Sequence, residues 1–139
     1  MKLLLILSLL FYVHASFAQP VIKYEKLPDG IIISLKKITD SDAALLKLQV
    51  CTENIIHIKI SPGEMISERP SLMAENTEWN PVQWSLDDKN GYLELSTPKL
   101  NVKINKGNGV LTFFDNMGRV LLKERTESSR IITPAEVMG

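Results

Sequence analysis

Between residues 95 and 124 the chain reads LSTPKLNVKINKGNGVLTFFDNMGRVLLKE, and this stretch constrains the fold more than any other. Leu100, Val102 and Ile104 alternate with Asn101, Lys103 and Asn105. A period of two is the signature of a strand with one buried and one wetted face. Two polar turns, Lys106-Gly107-Asn108-Gly109 and Asp115-Asn116-Met117-Gly118, divide the stretch into three or four short strands. Asn108-Gly109 is expected to supply the positive-φ residues of a two-residue hairpin loop, with Gly118 doing the same further on. The run 110–114 is apolar on both faces, which predicts a strand that is central in its sheet or covered from outside.

The same patterning extends back to residue 19 with no convincing helix. A first strand closes at Tyr24 and Pro28-Asp29-Gly30 turns the chain. Ile31, Ile33 and Leu35 then share one strand face. Residues 44–51 and 55–60 form an expected hairpin around Thr52-Glu53-Asn54, with Leu46, Leu48 and Val50 on one face of the first strand. In the second strand Ile56, Ile58 and Ile60 alternate with His57 and Lys59. Ser61-Pro62-Gly63 ends the hairpin, since proline lacks a ladder donor and glycine permits the turn. Residues 64–80 have no clean period and are long for a connection within one domain, the kind of loop that often carries function. Strands resume at 82–86 and 91–97, joined by Asp87-Asp88-Lys89-Asn90, and residues 125–139 lose the alternation. Short strands with a turn every eight to twelve residues indicate an all-β antiparallel sandwich.

Residues 1–18 stand apart. Lys2 precedes a nearly unbroken apolar run over 3–13, and Ser16 and Ala18 offer small residues at the −3 and −1 positions of a cleavage site before Gln19. This pattern is that of a secretory signal peptide, and the run is too short to span a bilayer. A retained anchor is the less favoured alternative. The expected division is therefore a leader at 1–18 and one sandwich domain at 19–139, in a protein that is secreted, with the periplasm as its compartment, and free of the membrane after cleavage. The domain is long enough to bury a core without staples. With 16 basic and 16 acidic residues in the whole chain, loss of Lys2 leaves it close to neutral. Nothing in that balance calls for nucleic acid or an anionic membrane as a partner. Cys51 is the sole cysteine, so no internal disulfide can form, and its place in a strand pattern suggests an inert packed thiol.

Motifs with chemistry are sparse. Hydrolysis of a glycoside needs two carboxyl groups flanking the scissile bond. Asp29, Asp87, Asp88 and Asp115 all read as turn residues bonding their local backbone. His57 lies on the polar face of its strand without a partner at ligand spacing, so no metal or other cofactor is expected. The sequence 106–109 lacks the Gly-Lys-Ser/Thr ending of a phosphate loop and reads as a turn. Trp79 ends the irregular loop beside Asn76, Glu78 and Asn80. A flat aromatic face among hydrogen-bonding side chains suits a pyranose ring, although Trp79 packing the loop onto the sandwich is the stronger alternative. Trp84 alternates with Val82 and Leu86 and is expected in the core.

The segment STPKLNVKI…GVLTFFDNMGRVLLKE, together with LLKLQVCTENIIHIKISP, ERPSLMAE and SRIITPAEVMG, resembles the N-terminal, galactose-mutarotase-like β-sandwich of family 31 glycoside hydrolases, the α-glucosidases and α-xylosidases. His57 stands where that family commonly has arginine. The resemblance implies a domain that precedes a catalytic (β/α)₈ barrel, whose two catalytic aspartates lie outside these 139 residues, so no catalytic residue is assigned here. It implies the barrel and carbohydrate as partners. Its irregular loop can reach the barrel mouth, which nominates Arg69 and Trp79 as substrate-binding residues. An exposed apolar patch that includes Leu111 and Phe113 is expected where the barrel would cover the sandwich. The alternative is a free-standing carbohydrate-binding or adhesion module.

Overall fold

The computed structural model describes residues 20–69, 79–126 and 130–133, and the leader assigned to 1–18 lies outside them. Nine strands are present among the described residues: β1 (Val21–Leu27), β2 (Gly30–Leu35), β3 (Leu45–Val50), β4 (Ile56–Ser61), β5 (Ser85–Lys89), β6 (Tyr92–Ser96), β7 (Leu100–Asn105), β8 (Leu111–Asp115) and β9 (Val120–Lys123). They form two antiparallel meanders in chain order, β1-β2-β3-β4 and β5-β6-β7-β8-β9. Short polar connections permit only antiparallel neighbours, because a parallel pair needs a long crossover.

The two sheets bury one common core. Ile31 and Ile33 of β2 and Leu46 and Leu48 of β3 are completely buried in the same cluster as Leu93, Leu95, Val102, Ile104 and Leu111 from the second sheet. These are the inward positions of the period-2 pattern, and facing sheets that bury them make a β-sandwich. The buried Cys51 follows β3, and its thiol is pushed up, chiefly by burial, with the charge of Asp29 adding to the effect. That keeps it in the unreactive thiol form.

Several local expectations are revised. β1 runs on from Tyr24 to Leu27, because each residue from Lys23 onward finds a register partner along β2 as far as Leu27 opposite Gly30. Asp87 and Asp88 belong to β5 rather than to a turn, and the hairpin closes at Asn90-Gly91, with Lys89 opposite Tyr92 and Gly91 at φ +89°. Polar composition had suggested a loop, whereas the cross-strand pairs decide for a strand. The turn after β7 is longer than two residues. Asn105 Oδ1 accepts from the amides of Gly107 (2.8 Å) and Asn108 (3.2 Å), and only Gly109 adopts positive φ, at +68°. This side-chain mimic of a turn removes the need for a left-handed asparagine. Asp115 works similarly, accepting from the amides of Met117 and Arg119, while Gly118 takes φ +79° as expected.

β8 lies between β7 and β9, as its two apolar faces imply. Leu111 is fully buried and Phe113 packs against the core, so neither forms the exposed patch expected of them. On the outer face Phe114 is covered by Lys103, whose ammonium lies 5.1 Å from its ring centre and 5.0 Å from that of Tyr92. Exposed apolar side chains occur instead on the edge strands. Ile58 and Ile60 of β4 stand opposite Leu48 and Leu46, hence on the core-facing side, yet they are 37% and 42% exposed. Leu122 of β9 stands opposite Phe113 and is 60% exposed, with Val120 and Leu121 similarly open.

Candidate functional site

The Pro28-Asp29 turn between β1 and β2 is where distant parts of the chain converge. Gly30 begins β2 there because nothing larger fits. A Cβ at this position would stand 2.0 Å from the carbonyl oxygen of Leu48, so the turn can press against β3. That approach lets the amide of Val50 donate to the Asp29 carbonyl at 2.7 Å and Gln49 Nε2 donate to Asp29 Oδ2 at 2.7 Å. From the other sheet, the segment leading into β5 brings Trp84, whose indole N–H donates to the Pro28 carbonyl at 3.1 Å. The Lys26 ammonium lies 4.7 Å from the centre of the Trp84 ring. A cation over an indole face adds attraction beyond packing.

Between these groups lies an open cavity of about 240 Å³, where Asp29, Gln49, Trp79, Asn80 and Trp84 share the lining with Pro28, Val50, Pro81 and Val82. The two tryptophans have different surroundings. Trp84 packs against the buried core, as its alternation implies, and its N–H and one ring face are occupied. Trp79 is half-buried and is not among the side chains packed against that core among the described residues. Asp29 Oδ1, Gln49 Oε1 and the second Gln49 Nε2 hydrogen have no protein partner among the described residues. The cavity therefore offers an aromatic wall with two acceptors and a donor beside it, which is chemistry for holding a hydroxyl-rich ring.

Arg69, the other nominated residue, does not line this cavity. It is exposed on the loop after β4, where its amide donates to Ser67 Oγ at 3.3 Å. That loop is tethered over the first sheet by Lys59 Nζ donating to the Ser67 carbonyl at 3.4 Å and by a Lys47–Glu68 ion pair at 3.7 Å. The remainder of the loop nominated between Arg69 and Trp79 lies outside the described residues. Asp29 and Gln49 had no sequence signal as partners of Trp79. Pro-Asp-Gly announces a turn, and nothing local says what will face it across the sandwich. Among the described residues no group of three His, Cys, Asp or Glu side chains could hold a metal ion. His57 stands opposite Gln49 on β4, half-buried.

A second junction fixes residues 130–132 against the sandwich. Asp42 bridges to Ile131, the Ala43 amide donates to the Arg130 carbonyl at 3.0 Å, and the Ile132 amide donates to that of Ser41 at 2.7 Å. Arg130 in turn pairs with Glu124 and donates to the Gly109 carbonyl at 2.9 Å. These groups hold one another, which makes the junction structural in character.

No protein-family model matches the chain. Solved structures share its fold. A family 31 α-xylosidase from Xanthomonas citri aligns with TM-score 0.58 and 24% identity over 73% of this chain and 11% of its own. A family 31 dextranase from Flavobacterium johnsoniae, solved with isomaltotriose, aligns with TM-score 0.63 and 19% identity over 79% of this chain and 13% of its own. A cycloalternan-forming enzyme from Listeria monocytogenes, solved with a pentasaccharide substrate, gives TM-score 0.60 and 16% identity over 78% and 9%. The fold is thus an antiparallel β-sandwich of the kind built into family 31 glycoside hydrolases, and the chain spans about a tenth of the length of those proteins. The resemblance seen in the strand patterns holds at the level of fold.

Proposed function

We propose that these residues form the N-terminal, non-catalytic sandwich of a secreted family 31 glycoside hydrolase acting on α-linked glucose or xylose residues. The observation that carries the reading is the fold itself, which recurs as a small share of much longer chains that act on glycosides. The open edges add support. Ile58, Ile60 and Leu122 occupy core-facing positions that no second layer covers among the described residues, which supports a surface for further polypeptide. In this reading the remainder of the enzyme, including its barrel, packs there, and the sandwich braces it. The leader at 1–18 would direct the enzyme through the secretory route, with the periplasm as its destination.

Reading the gene beyond the codon for Gly139 tests this directly. A continuation of several hundred residues with alternating strand and helix patterns is the expected result. The domain 19–139, purified alone, should release no aryl alcohol from aryl α-glucosides or α-xylosides. A stop codon at that point, or hydrolysis by the domain alone, overturns the reading. The stop codon would favour a free-standing carbohydrate-binding module instead.

A further inference from the structure

We infer that the cavity between the Pro28-Asp29 turn and Trp79 is a carbohydrate site in its own right, for a single neutral pyranose ring, with Asp29 and Gln49 binding its hydroxyls. The inference rests on the reading above only for the choice of sugars, since the site is assembled entirely from this domain.

Trp79 is half-buried, and it alone of the two tryptophans lies outside the group packed on the core. A pyranose presents patches of C–H on its faces, and such patches lie against aromatic rings for the same reasons of dispersion and quadrupole that bring other apolar groups there. Trp84 lines the same cavity and is held in place, because the Pro28 carbonyl accepts from its indole N–H and the Lys26 ammonium lies over its ring. That part of the cavity lining is therefore fixed before binding, which lowers the ordering cost of association.

Asp29 and Gln49 bring polar groups to the lining of the same cavity. Gln49 orients the Asp29 carboxylate through one oxygen and leaves the other to accept. A charged acceptor makes the stronger hydrogen bond. Gln49 Oε1 accepts beside it and the remaining Nε2 hydrogen donates, so adjacent hydroxyls of one ring can each find a partner. The carboxylate also sets a limit on the ligand. An anionic sugar would meet its charge directly, while the nearby Lys26 ammonium is committed to Trp84. The cavity of about 240 Å³ is below the size of clefts that enclose larger ligands, and it is open. It fits one ring at the end or side of a chain.

The test is a titration of the purified domain 19–139 with isomaltotriose and with methyl α-xyloside, followed by tryptophan fluorescence and by amide chemical-shift mapping. Glucuronic acid serves as the anionic control. Saturable binding with Kd near about 1 mM is expected for at least one neutral sugar, with shifts at Asp29, Gln49 and Asn80. Trp79→Ala should weaken it about tenfold, the upper end of what one stacked aromatic face contributes. Asp29→Asn, which keeps the shape of the turn, should weaken it several-fold while the amide spectrum stays that of the folded chain. Absence of saturation for both neutral sugars, unchanged affinity in both variants, or equal affinity for glucuronic acid overturns the proposal. None of these results bears on the length of the gene, so the two proposals fail separately.

Discussion

The two long edges of this sandwich are built differently. Along the edge formed by β1 and β5 the sheets are tied to each other. Tyr24 Oη donates to Asp88 Oδ2 at 3.0 Å, Lys106 pairs with the same carboxylate, the Val21 amide donates to the Lys106 carbonyl at 2.9 Å, and Trp84 bridges to Pro28. The bond to Asp88 raises the Tyr24 phenol, and Lys106, with Tyr24, lowers the Asp88 carboxyl. Along the remaining edge strands, β4 and β9, side chains that face the core are left open to water. The lesson is that strand alternation assigns a residue to a face, while burial requires a second layer over that face. Leu48 and Ile58 make the point within one pair. They are register partners on the same side of the same sheet, one completely buried and the other 37% exposed.

Truncating that pair gives the sharpest test and the largest effect. Leu48→Ala removes a side chain with core on every side and should cost about 2–5 kcal/mol of unfolding free energy in urea denaturation. Ile58→Ala should cost about 1 kcal/mol or less, because water already reaches its site. Equal losses would mean that β4 is covered in solution, and the contrast between the edges would then collapse. Leu46→Ala against Ile60→Ala repeats the comparison one pair along the same strands, with the same ordering expected.

The next effect belongs to the closed edge. Gly30→Ala places a methyl group 2.0 Å from the Leu48 carbonyl oxygen, and backbone must shift to admit it. Overpacking of this kind costs about 1–3 kcal/mol. Because the same approach positions Asp29 against Gln49 and Val50, the variant should also lose the Gln49–Asp29 bond, seen as a change in the Gln49 side-chain amide resonances. A stable variant with those resonances unmoved would show that the turn does not depend on contact with β3.

The core was legible in the sequence, and its limits were not. Val102 and Ile104 announced their face through strict alternation with polar neighbours, Ile31 and Ile33 through their period-two spacing with Leu35, and all four are fully buried. Ile58 and Ile60 announced a face equally well. Their exposure depends on how far the opposite sheet extends, which no local pattern encodes. Leu111 and Phe113 were misjudged for the same reason, in the other direction. Asp87 and Asp88 looked like turn residues because composition is read locally, whereas cross-strand partners on β6 hold them in a strand. In the candidate site, Trp79 was visible as an aromatic residue among polar ones. Its companions were not, since Asp29 and Gln49 lie 50 and 30 residues away along the chain and meet it only where the first sheet and the segment leading into β5 come together.

The smallest effect concerns acid, and it tests the junction at the start of β3, apart from both edges. The Asp42 carboxyl is only 3% exposed, and Oδ2 accepts from the amides of Ile38 and Thr39, each at 2.8 Å. Burial by itself pushes this group up. The backbone amides of Thr39 and Ile38, the Thr39 hydroxyl and the charge of Lys37 together outweigh burial, and the net displacement is downward from 3.8. A carboxyl lowered by folding contributes stability above its unfolded value, and that contribution is lost as pH falls through the folded value. Unfolding free energy should therefore decline below about pH 4, near the unfolded value of an aspartate. Asp42→Asn should cost about 1 kcal/mol at pH 7, the difference between a charged and a neutral acceptor. It should also flatten part of the acid limb, because the neutral amide no longer releases its proton on folding. An Asp42→Asn variant with the acid limb of the parent would assign that limb to other carboxyls, with Asp115 the first to examine, since the Arg119 amide and guanidinium hold it below its ordinary value as well.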